Sequence, residues 1–347
     1  MLSTLLLIGA LIIIGVPVLA KLYYFTIQGR NKHFPDMQKK VVIVTGGTAG
    51  IGKETARLLY QLNATVIITG RDKNKAEAFF ESLPMHTPQR PKMKFYQVDF
   101  KDLDQVKQFA ETIKSKYKKI DVLVNNAGMM SPEHRLSEEG VELTMTVNHL
   151  AGVYLTSLLM DLLVKGGHQA RVVNVSSDGQ LLFKKLFKEQ LESRDLWQIK
   201  IENRKVKYDA QGTYGLTKLC NVIFSRELAE LIQSRGWNMK TASLHPGVVY
   251  TDAFRNFKSF PMNNAFLRPI FTTLFVFFLK TEAQGAATSL HLALCPFDEI
   301  QNGGYYGDCK VSDQINSEAL QEHGKFIWEE TLKVIYEKTG HLCFREK

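Results

Sequence analysis

Cysteine is scarce in this 347-residue chain: there are four, Cys220, Cys295, Cys309 and Cys343, and no two form a C-x-x-C pair. Spaced so widely, they exclude a disulfide framework and a structural zinc site, and they suit a reducing compartment. Internal repeats, low-complexity tracts and a composition break that would mark a second domain are also lacking. Ten prolines, with 45% hydrophobic and 23% charged residues, are too ordinary for a disordered or collagen-like chain. Acids fall short of bases by nine, 35 against 44. That deficit leaves a nucleic acid, an anionic membrane or a phosphorylated small molecule open as partner. Lys114, Lys116, Lys118 and Lys119 end one surface helix without an aromatic set beside them, so nucleic acid is not expected.

Charge is missing altogether from Leu2 to Ala20, where Leu5 to Leu7 and Leu11 to Ile14 are unbroken aliphatic runs. With Leu22 to Phe25 beyond Lys21, the stretch is long enough to span a bilayer, and Pro17 kinks such a helix without forbidding it. Tyr23, Tyr24 and Phe25 stand where interfacial aromatics belong. Lys21, Arg30, Lys32, Lys39 and Lys40 follow against Asp36 alone, which places the body of the protein in the cytosol by the positive-inside tendency. Residues 1–25 are therefore expected to be an anchor and 26–40 its basic flank. A cleaved signal is the competing reading, since Val18 and Ala20 suit a cleavage site, but the charged segment that opens such signals is absent. The triplets Asn63-Ala64-Thr65 and Asn174-Val175-Ser176 border or enter expected strands and are read as chance rather than as glycosylation sites.

From Val41 onward, short apolar runs alternate with helical periodicity. Strands are expected at Val41 to Val44, Thr65 to Thr69, Lys94 to Val98, Asp121 to Val124, Arg171 to Val175 and Met239 to Leu244. Helices are expected at Gly50 to Leu62, Lys73 to Ser82, Leu103 to Tyr117, Asn148 to Val164 and Gly215 to Gln233. Apolar strands separated by helices imply an α/β fold, a doubly wound parallel sheet covered on both faces. One domain, 41–312, carries an insert at 178–213 and an apolar stretch at 265–279, with a helical extension at 313–347. The apolar stretch, broken by Arg268 and Pro269, is too short for a second span. A lid helix, a monotopic membrane contact and an ordinary core helix all stay open for it.

The first strand runs into Thr45-Gly46-Gly47-Thr48-Ala49-Gly50-Ile51-Gly52 and then a helix. Glycines there allow a tight turn and let backbone N–H groups approach a diphosphate. The spacing of Gly46, Gly50 and Gly52 is not the G-x-G-x-x-G fingerprint, and a plain strand-to-helix turn would also explain it. Where an NAD-binding chain ends its second strand on an acid, this one has Gly70 and Arg71, with Lys53 in the first turn after the glycines. A cationic pair suits a 2′-phosphate and hence NADP(H), although Asp72 lies one residue further on. Asp99 is placed for the adenine amine or for capping the next helix. Asn125-Asn126-Ala127-Gly128 closes the fourth strand, as a cofactor contact or a simple turn.

Tyr214 and Lys218, four apart on an expected helix, share one face. A tyrosine titrates near 10, too high for proton transfer at neutral pH, and a neighbouring ammonium lowers that value. Ser176 and Ser177 end the fifth strand at the same edge as the glycine turn. In this order, T-G-G-T-A-G-I-G, N-N-A-G, Asn148, Ser177, Tyr214 with Lys218, and His245-Pro246-Gly247 resemble a short-chain dehydrogenase/reductase over residues 41 to about 251. The match is similar above all to the membrane-associated retinol dehydrogenase-like branch. Val-Asn-His-Leu, His-Pro-Gly-Val-Val, Lys280-Thr281-Glu282 with Gly285-Ala286, and Tyr305-Tyr306-Gly307-Asp308-Cys309 carry that narrower likeness.

The resemblance implies that Tyr214 exchanges the proton and that Lys218 lowers its pKa and binds the nicotinamide ribose. It implies that Ser177 polarises the substrate oxygen, with Ser176 structural, and that Asn148 holds a water of the proton relay. Gly46, Thr48, Gly50, Ile51, Gly52, Lys53, Arg71, Asp99, Asn126, Ala127, Gly128, Tyr214, Lys218, Val248 and Thr251 would contact the cofactor, and no metal is expected. It further implies an NADP(H)-dependent enzyme in a membrane, that of the endoplasmic reticulum, with its catalytic domain facing the cytosol. The expected reaction interconverts a lipophilic alcohol and its aldehyde or ketone, retinoids first, then hydroxysteroids or long-chain and polyprenyl aldehydes. A homodimer is compatible with this reading, and a non-catalytic nucleotide-binding scaffold is the competing class. Ser177 and Tyr214 stand 37 residues apart, a longer gap than the family's usual one, so the basic insert between them is a solvated loop or a flap at the substrate mouth.

Overall fold

A computed structural model describes residues 29–83, 93–181, 197, 208–249, 279–315 and 317–345. The expected anchor 1–25, Thr251, most of the insert 178–213 and the apolar stretch 265–279 apart from Leu279 lie outside the described residues. Among the described residues, no helix is long and apolar enough to cross a membrane.

β1 (Val41–Val44), α1 (Gly50–Gln61), β2 (Thr65–Gly70), α2 (Lys73–Glu81), β3 (Lys94–Gln97), α3 (Leu103–Lys116) and β4 (Val122–Asn125) follow one another in alternation. α4 then runs from Leu143–Met145 through a π-helical turn, Thr146–Leu150, into Ala151–Leu158, and α5 (Met160–Val164) leads to β5 (Ala170–Val175). After them come α6 (Ala210–Ser234), β6 (Met239–His245), α7 (Glu282–Leu294), β7 (Gly304–Gly307), β8 (Lys310–Val311) and α8 (Ser317–Thr339).

The sheet order is β3-β2-β1-β4-β5-β6-β7-β8. Neighbours are parallel throughout except β7 with β8. Because β1 lies between β2 and β4, the crossovers diverge from that point and leave a crevice at the carboxyl edge. The expected doubly wound parallel sheet is what the chain forms. Both of its faces are covered, which is why its central strands are apolar on both sides. Ile43, Ile67, Leu123 and Val172 pack under α3, α4 and α6, whereas Val42, Val66, Ile68, Val124 and Val173 pack under α1, α2 and α7. α8 adds a further layer, with Leu320, Ile327, Val334 and Ile335 buried in the first of these clusters.

Two elements depart from expectation in ways that position the site. α4 begins at Leu143 rather than Asn148, because the fully buried Glu142 carboxylate caps it, accepting from Met145 N at 2.8 Å. Tyr208 and Thr144 hydroxyls donate to the other Glu142 oxygen at 2.8 and 3.0 Å, so this buried acid is satisfied. α6 starts five residues before Gly215, at Ala210, where Asp209 accepts from Gln211 N and Gly212 N at 3.0 Å each. That early start carries Tyr214 and Lys218 well inside a formed helix.

Candidate active site

Thr45, buried after β1, opens the turn into α1. Its Oγ1 accepts Asn126 N–H and Ala127 N–H at 2.9 Å each. Asn126 Nδ2 donates to Thr45 O at 2.8 Å and Gly46 O at 3.3 Å. Asn126 and Ala127 thus work from behind the glycine turn, locking the ends of β1 and β4 at a fixed separation. Gly46 adopts a φ of 64°, in the left-handed region. A Cβ on Gly52 would collide with Asn126 Nδ2 and Gly46 O, so the first turn of α1 lies flat against the loop.

The amino end of α1 also tests whether a dinucleotide fits. α2, α3, α6 and α7 start on side-chain caps, Asp72, Asp102, Asp209 and Thr281. α1 instead starts on Ala49, with no side-chain cap and no acid in its first turn. Its leading N–H groups, at Gly50, Ile51 and Gly52, and the positive end of its dipole are left for an anion, which matches a cofactor diphosphate. Thr48 closes the far side of the turn, for a Cβ on Gly70 would meet its Oγ1 and Cγ2 at 2.8 Å.

Arg71 is exposed at the end of β2 and Lys53 half-buried in α1, its ammonium 5.5 Å from the centre of the Phe79 ring. Asp72, the acid that could have faced a ribose hydroxyl, accepts from Lys75 N at 3.2 Å as the cap of α2. Asp99 does not cap α3, a role that belongs to Asp102. It accepts from Lys101 N at 3.2 Å and lies 3.6 Å from the Lys101 ammonium. Val248 stands at the rim, 53% exposed.

The candidate catalytic group lies across the crevice, after β5. Ser176 Oγ donates to Lys218 O at 2.6 Å and is committed to structure. Ser177, next in the chain, is half-buried and accepts from Gly179 N at 3.1 Å. Tyr214 pairs with it: burial raises the Tyr214 phenol above its ordinary value, and a hydrogen bond with Ser177 opposes that rise. Lys218 Nζ lies 5.4 Å from the centre of the Tyr214 ring and donates to Val175 O at 3.0 Å. Burial lowers it to about 8. Within the protein alone, then, desolvation dominates both partners, and it is the Ser177 hydrogen bond, rather than the expected Lys218 ammonium, that opposes the rise of Tyr214.

Asn148 falls in the π-helical turn of α4, a local widening that turns its side chain inward. Nδ2 donates to Met129 O at 2.9 Å and Thr217 Oγ1 at 3.0 Å, and Oδ1 accepts from Met129 N at 2.7 Å. Its side chain therefore holds the segment after Gly128 to α6. A Cβ on Gly128 would come within 3.4 Å of both Asn148 Oδ1 and Lys218 Nζ, so this glycine is the partition between them. Asn221 supports the group from below, donating to Asn148 O at 3.0 Å and Val175 O at 3.3 Å. Its Oδ1 lies 3.1 Å from His149 Nδ1, and His149 Nε2 lies 3.1 Å from Thr331 Oγ1 of α8. Burial lowers His149 to about 4, so it is a neutral strut.

One cluster is not evident in the sequence as a functional unit. Asp178 Oδ2 lies 2.7 Å from His245 Nδ1, and Tyr305 OH donates to Asp178 Oδ1 at 3.0 Å. The His245 and Tyr305 rings stack at 5.6 Å. Together they join the carboxyl ends of β5, β6 and β7 around Ser177. The sequence signals are separate and local: an acid directly after Ser177, and His245 and Tyr305 each within its own motif. Asp178→Ala is expected to lower stability by about 1 kcal/mol, the small figure reflecting a carboxylate 42% exposed. Urea denaturation measures this, and an unchanged midpoint would show the cluster idle.

Comparison with known proteins gives the family. The profile of the short chain dehydrogenase family matches residues 40–183. Retinol dehydrogenase 12 of Mus musculus is 36% identical over 271 residues, covering 78% of each chain. Retinol dehydrogenase 11 of Homo sapiens is 34% identical, covering 82% of this chain and 81% of its own. A crystal structure of an uncharacterised protein from Mycobacterium Paratuberculosis superposes with a TM-score of 0.63 at 23% identity, over 86% of this chain and 94% of the other, and so shares the fold. With family profile and relatives in agreement, the chain belongs to the short-chain dehydrogenases, in the retinol dehydrogenase-like branch.

Proposed function

We propose that this protein is a membrane-associated, NADP(H)-dependent oxidoreductase that interconverts a lipophilic alcohol and its carbonyl compound, with retinol and retinal as the first candidates. The convergence of Ser177, Tyr214 and Lys218 on one point of the carboxyl edge carries the reading, since it supplies what proton exchange with a carbonyl oxygen needs. When bound, the nicotinamide supplies or accepts hydride. Ser177 orients the substrate oxygen and stabilises charge developing on it. Tyr214, held protonated by burial, gives its proton to that oxygen in the reducing direction and takes one back in the oxidising direction. The Lys218 ammonium stabilises the phenolate that results. The names of the retinol dehydrogenase relatives support the substrate class, and the apolar anchor expected at 1–25 supports the membrane.

NADP(H) is favoured over NAD(H) because Asp72 is committed to its helix while Arg71 stays exposed beside the β2 end. Arg71→Ala is expected to raise KM for NADPH about tenfold, the loss of one charged hydrogen-bonding partner, and to leave KM for NADH unchanged. Equal effects on both cofactors would refute the assignment. The substrate is tested by incubating the membrane-bound protein with NADPH and retinal, steroid ketones or long-chain aldehydes and following cofactor oxidation. Faster turnover of steroid ketones or long-chain aldehydes than of retinal would replace the retinoid assignment. No turnover of any carbonyl by protein that binds the cofactor would favour a scaffold.

A further inference from the structure

Lys280 is a buried cation that proton exchange does not use. Its side chain is 4% exposed, and Nζ pairs with Asp308 Oδ1 at 2.7 Å. It lies directly under the loop after β6: Lys280 N donates to Val248 O at 2.9 Å, and Lys280 forms a parallel bridge with Val249. Gly247 in that loop has a φ of 79°, and a Cβ there would come 2.8 Å from Lys280 Nζ. The ammonium thus fills the space against which Gly247 rests.

The loop spans the two halves of the site. At one end His245 Nδ1 lies 2.7 Å from Asp178 Oδ2, beside Ser177. At the other end, Val249 and Ile51 both close on Gly285, whose Cβ would meet Val249 Cγ2 at 2.6 Å and Ile51 Cγ1 at 3.2 Å. Ile51 belongs to the uncapped start of α1, so residues 245–249 reach from the catalytic serine to the anion-ready turn. Asp308 also accepts from Gly29 N at 3.2 Å, at the head of the extended segment that leads to β1. That segment passes α7, where His33 lies 5.7 Å from His291, and reaches Leu62 O through Met37 N at 2.7 Å.

We infer that Lys280 and Asp308 are positioning residues for the nicotinamide half of the cofactor, the buried ammonium holding the 245–249 loop in its binding shape and Asp308 holding the ammonium. The adenosine half is bound by α1, β2 and the glycine turn, which the pair does not touch. This inference rests on the proposed use of a nicotinamide dinucleotide. Two features separate it from a merely structural role. Loss of the pair weakens the whole cofactor and spares its adenosine fragment, and the two residues act as one unit.

The test measures dissociation constants by fluorescence for NADPH and for 2′,5′-ADP, with NADH and AMP as the pair if the wild type selects NADH. Lys280→Met, Asp308→Asn and the double variant are compared, together with their unfolding temperatures. Lys280→Met is expected to weaken NADPH about tenfold, the size of a single lost charged interaction, with 2′,5′-ADP unchanged. The double variant is expected to be no weaker than Lys280→Met. If Asp308→Asn, which strands a buried ammonium, fails to fold, Lys280→Met alone decides through the contrast between NADPH and fragment. Unchanged NADPH affinity, or equal losses for NADPH and fragment, overturns the inference. Wild-type protein that binds no dinucleotide overturns the proposed function instead.

Discussion

Tyr214→Phe is expected to reduce kcat about 10³-fold, within the range for removal of a general acid–base group. The dissociation constant of the cofactor is expected to move by less than about threefold, because the change removes no diphosphate or ribose-phosphate contact. The phenyl ring remains in place, 5.4 Å from Lys218 Nζ, and only the hydroxyl paired with Ser177 is lost. Ser177 stays anchored through Gly179 N, so the oxygen-binding point survives without its proton donor. Steady-state turnover of the best carbonyl substrate, with a fluorescence titration of cofactor, separates the two effects. Turnover at the wild-type rate would remove Tyr214 from the chemistry and reopen the scaffold reading.

What could be read in the chain beforehand follows from how local each signal is. β1, β2, β4 and β5 are short β-branched runs buried on both faces, and their patterns mark them within a residue or so. β7 was not anticipated. Its four residues, Gly-Tyr-Tyr-Gly, include two glycines and no branched side chain, and it is a strand because β6 offers an edge and Tyr305 and Tyr306 bury there. α7 escaped for the opposite reason: its capping box, Thr281 with Gln284, is local, but Gly285 weakens its periodicity so that it can pack against α1.

The site divides in the same way. Glycine turn, serine, tyrosine and lysine are spacing signals and can be found in the sequence. Networks that join distant segments cannot be found there: Asn221 to Asn148, His149 to Thr331, Asp178 to Tyr305 and Lys280 to Asp308 are separated by 28 to 182 residues. The pKa pattern belongs to this second class. A lysine four residues from a tyrosine suggests a lowered phenol, whereas the folded chain buries both groups and moves each toward its neutral form.

That burial makes the consequence of Lys218→Met unusual: activity and stability should change in opposite directions. Without an ammonium to stabilise the Tyr214 phenolate, kcat is expected to fall about 10²-fold. Yet the ammonium is costly to the fold. Burial lowers its pKa from 10.5 to about 8, a difference equivalent to about 3 kcal/mol against the folded state when the group is charged. Methionine removes that cost and keeps most of the apolar stem, while the bond to Val175 O, worth about 1 kcal/mol, is lost. Asn221 Nδ2 still donates to Val175 O at 3.3 Å, so no buried carbonyl is orphaned. At pH 7 the variant is therefore expected to be more stable by about 2 kcal/mol in urea denaturation. The pH dependence fixes the cause. Below about pH 8 the lysine is charged in both states, and its full cost is present. Between about 8 and 10.5 the unfolded chain holds the proton more tightly, so wild-type stability rises with pH and the advantage of methionine fades. An advantage that is absent at pH 7, or that persists undiminished above pH 10.5, would show that desolvation of Lys218 is not what the fold opposes.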